Sequence, residues 1–70
     1  MTDNEALDIL RAQGHAAGIP DRNGWVRVWM HGSNDAIDVR LGRELRELAE
    51  GRLSFEDIRE LREDEAPVER

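Results

Sequence analysis

WVRVWM (Trp25–Met30) and AIDVRL (Ala36–Leu41) are the two stretches that decide the fold. Each alternates in character from one residue to the next. Successive side chains of a strand point to opposite faces. Val26, Val28 and Met30 therefore share one face, and Trp25, Arg27 and Trp29 share the other. In the second stretch Ile37, Val39 and Leu41 lie on one side, with Asp38 and Arg40 opposite. The connection HGSND (His31–Asp35) is rich in turn formers, which predicts an antiparallel hairpin. Pairing the strands produces one wholly aliphatic face, the natural core, and one face of Trp, Arg, Trp, Asp and Arg. A slip of one residue would turn aliphatic side chains outward and charges inward, so the register is well specified.

Upstream of the hairpin, Thr2 and Glu5 have the spacing of a capping box, with Asp3 an alternative N-cap. Ala6, Leu7, Ile9 and Leu10 supply a short apolar stripe, and Gly14 is placed to end the helix. These signals predict a helix near residues 3–13. In GHAAGIPDRNG (Gly14–Gly24), Asn23-Gly24 marks a tight turn. Residues 15–19 read equally well as a short edge strand, ended by Pro20, or as an irregular loop.

Downstream, Arg43–Glu50 places Leu45, Leu48 and Ala49 on one helical face, and Gly51 ends that helix. Ser54 is an N-cap for a further helix, with Asp57 three residues on, and Leu53 and Ile58 occupy the positions of a hydrophobic staple. Phe55, Ile58 and Leu61 are expected to continue the apolar stripe. The expected architecture is α+β. It comprises an N-terminal helix, an antiparallel β-hairpin of two or three strands, and two short C-terminal helices packed on one sheet face. Residues 1–63 form one small domain, and 64–70 (DEAPVER) are expected to be an acidic flexible tail.

Seventy residues bury only about 60% of the unfolded surface, so self-association is the expected supplement to a small core. There is no cysteine, which excludes disulfides, thiolate metal sites and cysteine nucleophiles. The net charge of −6 disfavours a binder of phosphate backbones, which normally carries a basic patch and a high isoelectric point. The plainer role of such charge is to keep a small chain in solution. All ten basic residues are arginine, a pattern that fits genomic base composition. The acidic N-terminus does not resemble a signal peptide, and no stretch has the length of a membrane span. The expectation is a protein of the cytoplasm of a bacterial or archaeal host.

Catalytic and metal chemistry find little support. The hydroxyls are Ser33, Ser54 and Thr2. Ser33 lies between His31 and Asp35, but a surface turn supplies neither a buried acid nor an oxyanion hole. His15, His31, Asp35 and Asp38 match no metal-ligand spacing. Gly14, Gly18, Gly24 and Gly32 form no phosphate-binding loop. No enzyme activity, cofactor or metal is expected.

The partner-binding candidates are Trp25, Arg27, Trp29, Asp38 and Arg40. Tryptophan and arginine are the residues most enriched at interface hot spots. Arg27 and Arg40 are placed to stack on the indoles, and Arg27 to pair with Asp38 across the hairpin. Either the first helix folds over this face as a second small core, or the face meets a partner or a second copy. A separate acidic surface is expected from Glu56, Asp57, Glu60, Glu63 and Asp64. It is either a solvated helix face or a row of charge that imitates nucleic acid and docks on a basic groove.

As a compact, acidic, self-contained chain, the protein resembles the small inhibitors encoded by phages and mobile elements, of which anti-CRISPR proteins are one type. The resemblance implies a non-enzymatic module that occupies a surface of a larger, nucleic-acid-handling complex. The alternative is an antitoxin-like or regulatory homodimer that touches nucleic acid through Arg22, Arg27 and Arg40.

Overall fold

The structure, a computed structural model, describes residues 1–65. The chain runs α1 (Asp3–Ala12), β1 (Ala16–Ala17), β2 (Trp25–Trp29), β3 (Ala36–Arg40), α2 (Arg43–Glu50) and α3 (Phe55–Glu65). It is a small α+β fold with one antiparallel sheet in the order β1-β2-β3. The helix α3 continues two residues into the segment expected to be a tail. Residues 66–70, with the expected stop at Pro67, lie outside the described residues.

The hairpin pairs Val26 with Val39, Arg27 with Asp38 and Val28 with Ile37. Its ladder is prolonged by a 2.8 Å bond from the Leu41 N–H to the Gly24 carbonyl. Met30 falls outside β2 because its carbonyl turns to accept from the Ser33 N–H at 3.0 Å, and its side chain is exposed. Residues 15–19 contain a two-residue strand. Ala16 pairs with Trp29 and Ala17 with Val28, and the Gly18 N–H donates to the Arg27 carbonyl at 2.8 Å.

All three helices contribute to one core on the aliphatic face. Val26, Val28, Ile37 and Val39 of the sheet join Leu7 and Leu10 of α1, Leu45 and Leu48 of α2, and Ile58 of α3. Leu41, Leu53 and Phe55 pack around this cluster. The first helix therefore packs on the aliphatic side with the other two, and does not form a second core over the tryptophans. Leu61 is exposed, and the inward position next to it is taken by Arg62.

Local signals position these elements. The Thr2–Glu5 capping box is formed in both directions, at 2.8 and 3.1 Å. The Thr2 backbone N–H, above all, holds the Glu5 carboxyl below its usual value. Ser54 and Asp57 make the same reciprocal pair at the start of α3, at 2.9 and 3.0 Å. At the end of α2, Gly51 adopts a left-handed φ of 84°. The Arg52 N–H can then reach the Glu47 carbonyl at 2.9 Å, which satisfies an orphan acceptor of the helix end. A long-range bond from the Gly42 N–H to Asp3 Oδ1, 3.0 Å, ties the entry of α2 to the first turn of α1.

Candidate functional site

Among the described residues, no helix lies over the second face of the sheet. Along β2 it presents Trp25, Arg27 and Trp29, with Arg40, Asp38 and Ala36 opposite them on β3. Both indoles are half-buried, whereas Arg27, Asp38 and Arg40 are exposed. Small residues surround Trp29. Ala16 and Ala36 are its cross-strand neighbours, and a Cβ on Gly18 would come within 3.8 Å of its Cζ3. The ring is therefore bordered by side chains too short to cover it.

Trp25 is held more elaborately. The turn before it is closed by Asp21, whose Oδ1 accepts from the Asn23 N–H at 2.8 Å and from the Trp25 N–H at 3.0 Å. The Asp21 N–H donates to the Trp25 carbonyl at 2.8 Å. Two guanidiniums lie on its ring. Arg40 Cζ is 4.5 Å from the ring centroid and Arg62 Cζ is 4.8 Å away. Cation–π contacts of this kind contribute about 0.5–1 kcal/mol each at exposed sites. Arg27 takes no part in the stacking. It turns to Asp38 instead, with Nε 3.3 Å from Oδ1. Both of those side chains are more than half exposed, so the pair is worth little to stability.

Arg62 is the member of this face that sequence reasoning missed. It belongs to α3 yet reaches over the border of β3 to Trp25. On the way NH1 and NH2 donate to Glu44 of α2, at 3.0 and 2.8 Å, and NH1 also donates to the Asp38 carbonyl at 3.2 Å. Glu44 Oε1 additionally accepts from the Arg40 N–H at 3.1 Å. Burial pushes the Glu44 carboxyl up. The Arg62 and Arg40 hydrogen bonds and the positive charges of both residues outweigh it and hold the carboxyl below its usual value. The available signal was spacing: Phe55, Ile58 and Arg62 fall on one helical face. A charge on that inward face requires a partner.

The acidic candidates occupy the opposite side of α3. At 100° per residue, Glu56, Asp57, Glu60, Glu63 and Asp64 cover the arc that faces away from Ile58 and Arg62, and all five are exposed. Asp57 is engaged in the helix cap, and Glu56 lies 4.0 Å from Arg59. Glu60, Glu63 and Asp64 form no ion pair among the described residues.

The other polar residues weighed in the sequence are placed in turns. Ser33 Oγ accepts from the Asp35 N–H at 3.0 Å. The Nδ1 of His31 lies 3.0 Å from the Gly14 carbonyl, and the His31 backbone N–H donates to His15 Nδ1 at 2.9 Å. The ring of His15 rests on Phe55, with centroids 4.8 Å apart. The two histidines thus clasp the end of α1 to the end of β2. Among the described residues no three His, Asp or Glu side chains gather in a metal-ligand arrangement, and no helix is long and apolar enough to cross a membrane.

Comparison of the chain with family models, with curated proteins and with solved structures finds no match.

Proposed function

We propose that the protein is a non-enzymatic binding module that docks on another protein through the tryptophan face of its sheet. One observation carries this reading. The three helices of the described residues pack on the aliphatic side, so Trp25 and Trp29, with Arg27 and Arg40, remain on the other side of the sheet. A half-buried indole braced by arginine is a large contact area that loses little conformational freedom on binding. In this reading the module acts by occupancy, as the small inhibitors of phages and mobile elements do, the anti-CRISPR type among them. It covers a surface of a larger nucleic-acid-handling complex. The acidic outer face of α3 steers it toward a basic groove and raises the association rate rather than the final affinity.

The test is affinity capture from the native host lysate, with wild type and Trp29→Ala as baits, followed by reconstitution with the purified partner. Loss of the partner with Trp29→Ala, while circular dichroism stays native, supports the reading. Normal binding by that variant, or recovery of this chain alone, overturns it. Charge reversal at Glu60 and Asp64 should slow association with a reconstituted partner and reduce the dependence of the rate on salt.

A further inference from the structure

We infer that the tryptophan face receives a short acidic segment of its partner, one that carries a carboxylate close to a large apolar side chain. This inference rests on the docking reading above and specifies what docks. The first argument is size. Strands lie about 4.8 Å apart and rise about 3.4 Å per residue. A face of two five-residue strands and one two-residue strand therefore offers a footprint of roughly 200 Å². A standard protein interface needs about 800 Å² from each partner. The face is too small for a broad flat interface or a stable dimer, and it fits a single extended stretch of chain.

The second argument is charge. The carboxylates on this face already have partners. Asp38 holds Arg27, and Asp21 holds the backbone N–H groups of Asn23 and Trp25. Glu44 meets Arg40 at its backbone N–H, but the Arg40 guanidinium, positioned by the Trp25 ring, forms no ion pair of its own among the described residues. Arg22, exposed in the preceding turn, has none either. A stacked guanidinium keeps its N–H edges available, and those edges suit the two oxygens of a carboxylate. The carboxylates of the face are thus engaged elsewhere, and the Arg40 guanidinium is left to an acceptor from outside.

The third argument is the depression beside Trp25. Gly18, Ile19, Trp25 and Arg27 line it together with the carboxylates of Asp21 and Asp38, which are engaged by the backbone and by Arg27, and Ile19 is 92% exposed at its edge. An apolar side chain placed there would cover both Ile19 and the indole. A phosphate backbone would also supply acceptors to Arg40, but it repeats its charge at every residue. It would bring that charge against Asp21, Asp38 and a chain of net charge −6. A single carboxylate in a peptide avoids that repulsion.

The experiment is selection of displayed random peptides on the full chain. Selected peptides are then titrated by fluorescence anisotropy against wild type, Arg40→Glu and the charge-matched control Arg52→Glu. Oligothymidine is titrated alongside. The expected result is enrichment of sequences with Asp or Glu within a few residues of a large apolar side chain. Arg40→Glu should weaken them at least about tenfold and Arg52→Glu should leave them within about twofold. Enrichment of basic or uncharged sequences overturns the inference. So do an empty selection, equal losses for the two variants, or tighter binding of oligothymidine. A captured partner that is lost with Trp29→Ala but kept with Arg40→Glu overturns this inference and leaves the docking reading standing. A partner kept with Trp29→Ala overturns both.

Discussion

Arg62 and Glu44 form a bidentate ion pair, at 3.0 and 2.8 Å, between the two C-terminal helices. Their side chains are only 19% and 18% exposed. Solvent therefore screens the pair less than it screens the other ion pairs among the described residues, and hydrogen bonds to charged groups contribute about 1.5–3 kcal/mol in such settings. Arg62→Ala should lower the urea-unfolding free energy by about that amount. A change within the error of Arg52→Ala would refute the assignment.

The same pair gives the fold a dependence on acid. The folded-state pKa of Glu44 lies below its unfolded value. Its contribution is therefore complete above the unfolded value, about 4.3, and is lost as the pH falls through the lower folded value. Between about pH 5 and pH 3 the stability of wild type should fall more steeply than that of Glu44→Gln. Parallel stability curves for the two proteins would show that this carboxylate contributes nothing to acid unfolding.

Fluorescence offers a direct check on Trp25. With Trp29→Phe as the background, the emission reports only the indole that lies under Arg40 and Arg62. Adding Arg62→Ala should shift that emission to longer wavelength, because water replaces the guanidinium over the ring. An unchanged spectrum would place Arg62 elsewhere.

Gly14 and Gly51 both have positive φ, 98° and 84°, but their surroundings differ. A Cβ on Gly51 meets nothing within 4 Å, whereas a Cβ on Gly14 would lie 2.8 Å from His31 Nδ1. Gly51→Ala should cost about 1 kcal/mol of backbone strain, and Gly14→Ala more than that. Part of the Gly14→Ala loss should disappear in a His31→Ala background, because that background removes the clash. Strictly additive losses in urea titrations would show that the His31 ring is not what the methyl group meets.

The core leaves little margin. A chain of this length is stable by roughly 3–10 kcal/mol, and Leu45 is fully buried in the core between the helices and the sheet. Leu45→Ala should cost about 2–5 kcal/mol and leave the protein substantially unfolded at moderate temperature. A sharp thermal transition close to that of wild type would contradict this packing.

The elements that were legible in the sequence have signals in their own residues. Helix α2 runs from Arg43 to Glu50 as its spacing predicts, and both capping boxes are formed. The strand β1 was legible only as one of two equal readings of residues 15–19, because Ala16 and Ala17 carry no alternation. Pairing with β2, together with the clasp of His15 and His31, makes that segment a strand. The side of the sheet that α1 covers was also hidden. The stripe of Leu7 and Leu10 shows that α1 is amphipathic but does not say against what it packs. For the candidate face, the strand residues followed from alternation alone. Arg62 did not, because it lies among acids in sequence and only its helical phase separates it from them. An arginine can bury its stem on the inward side of a helix and extend its charged head past the border of the layer.

The outer border of the sheet has one more consequence. The Asp38 carbonyl and the Arg40 N–H point away from β2, and Arg62 and Glu44 bond them. A bare strand edge is a template on which foreign chains add and aggregates grow. Here the C-terminal half of that template is already filled by side chains of the protein itself. The pair that braces the two helices also blunts the sheet, and a mutant that loses it would be open to aggregation as well as less stable.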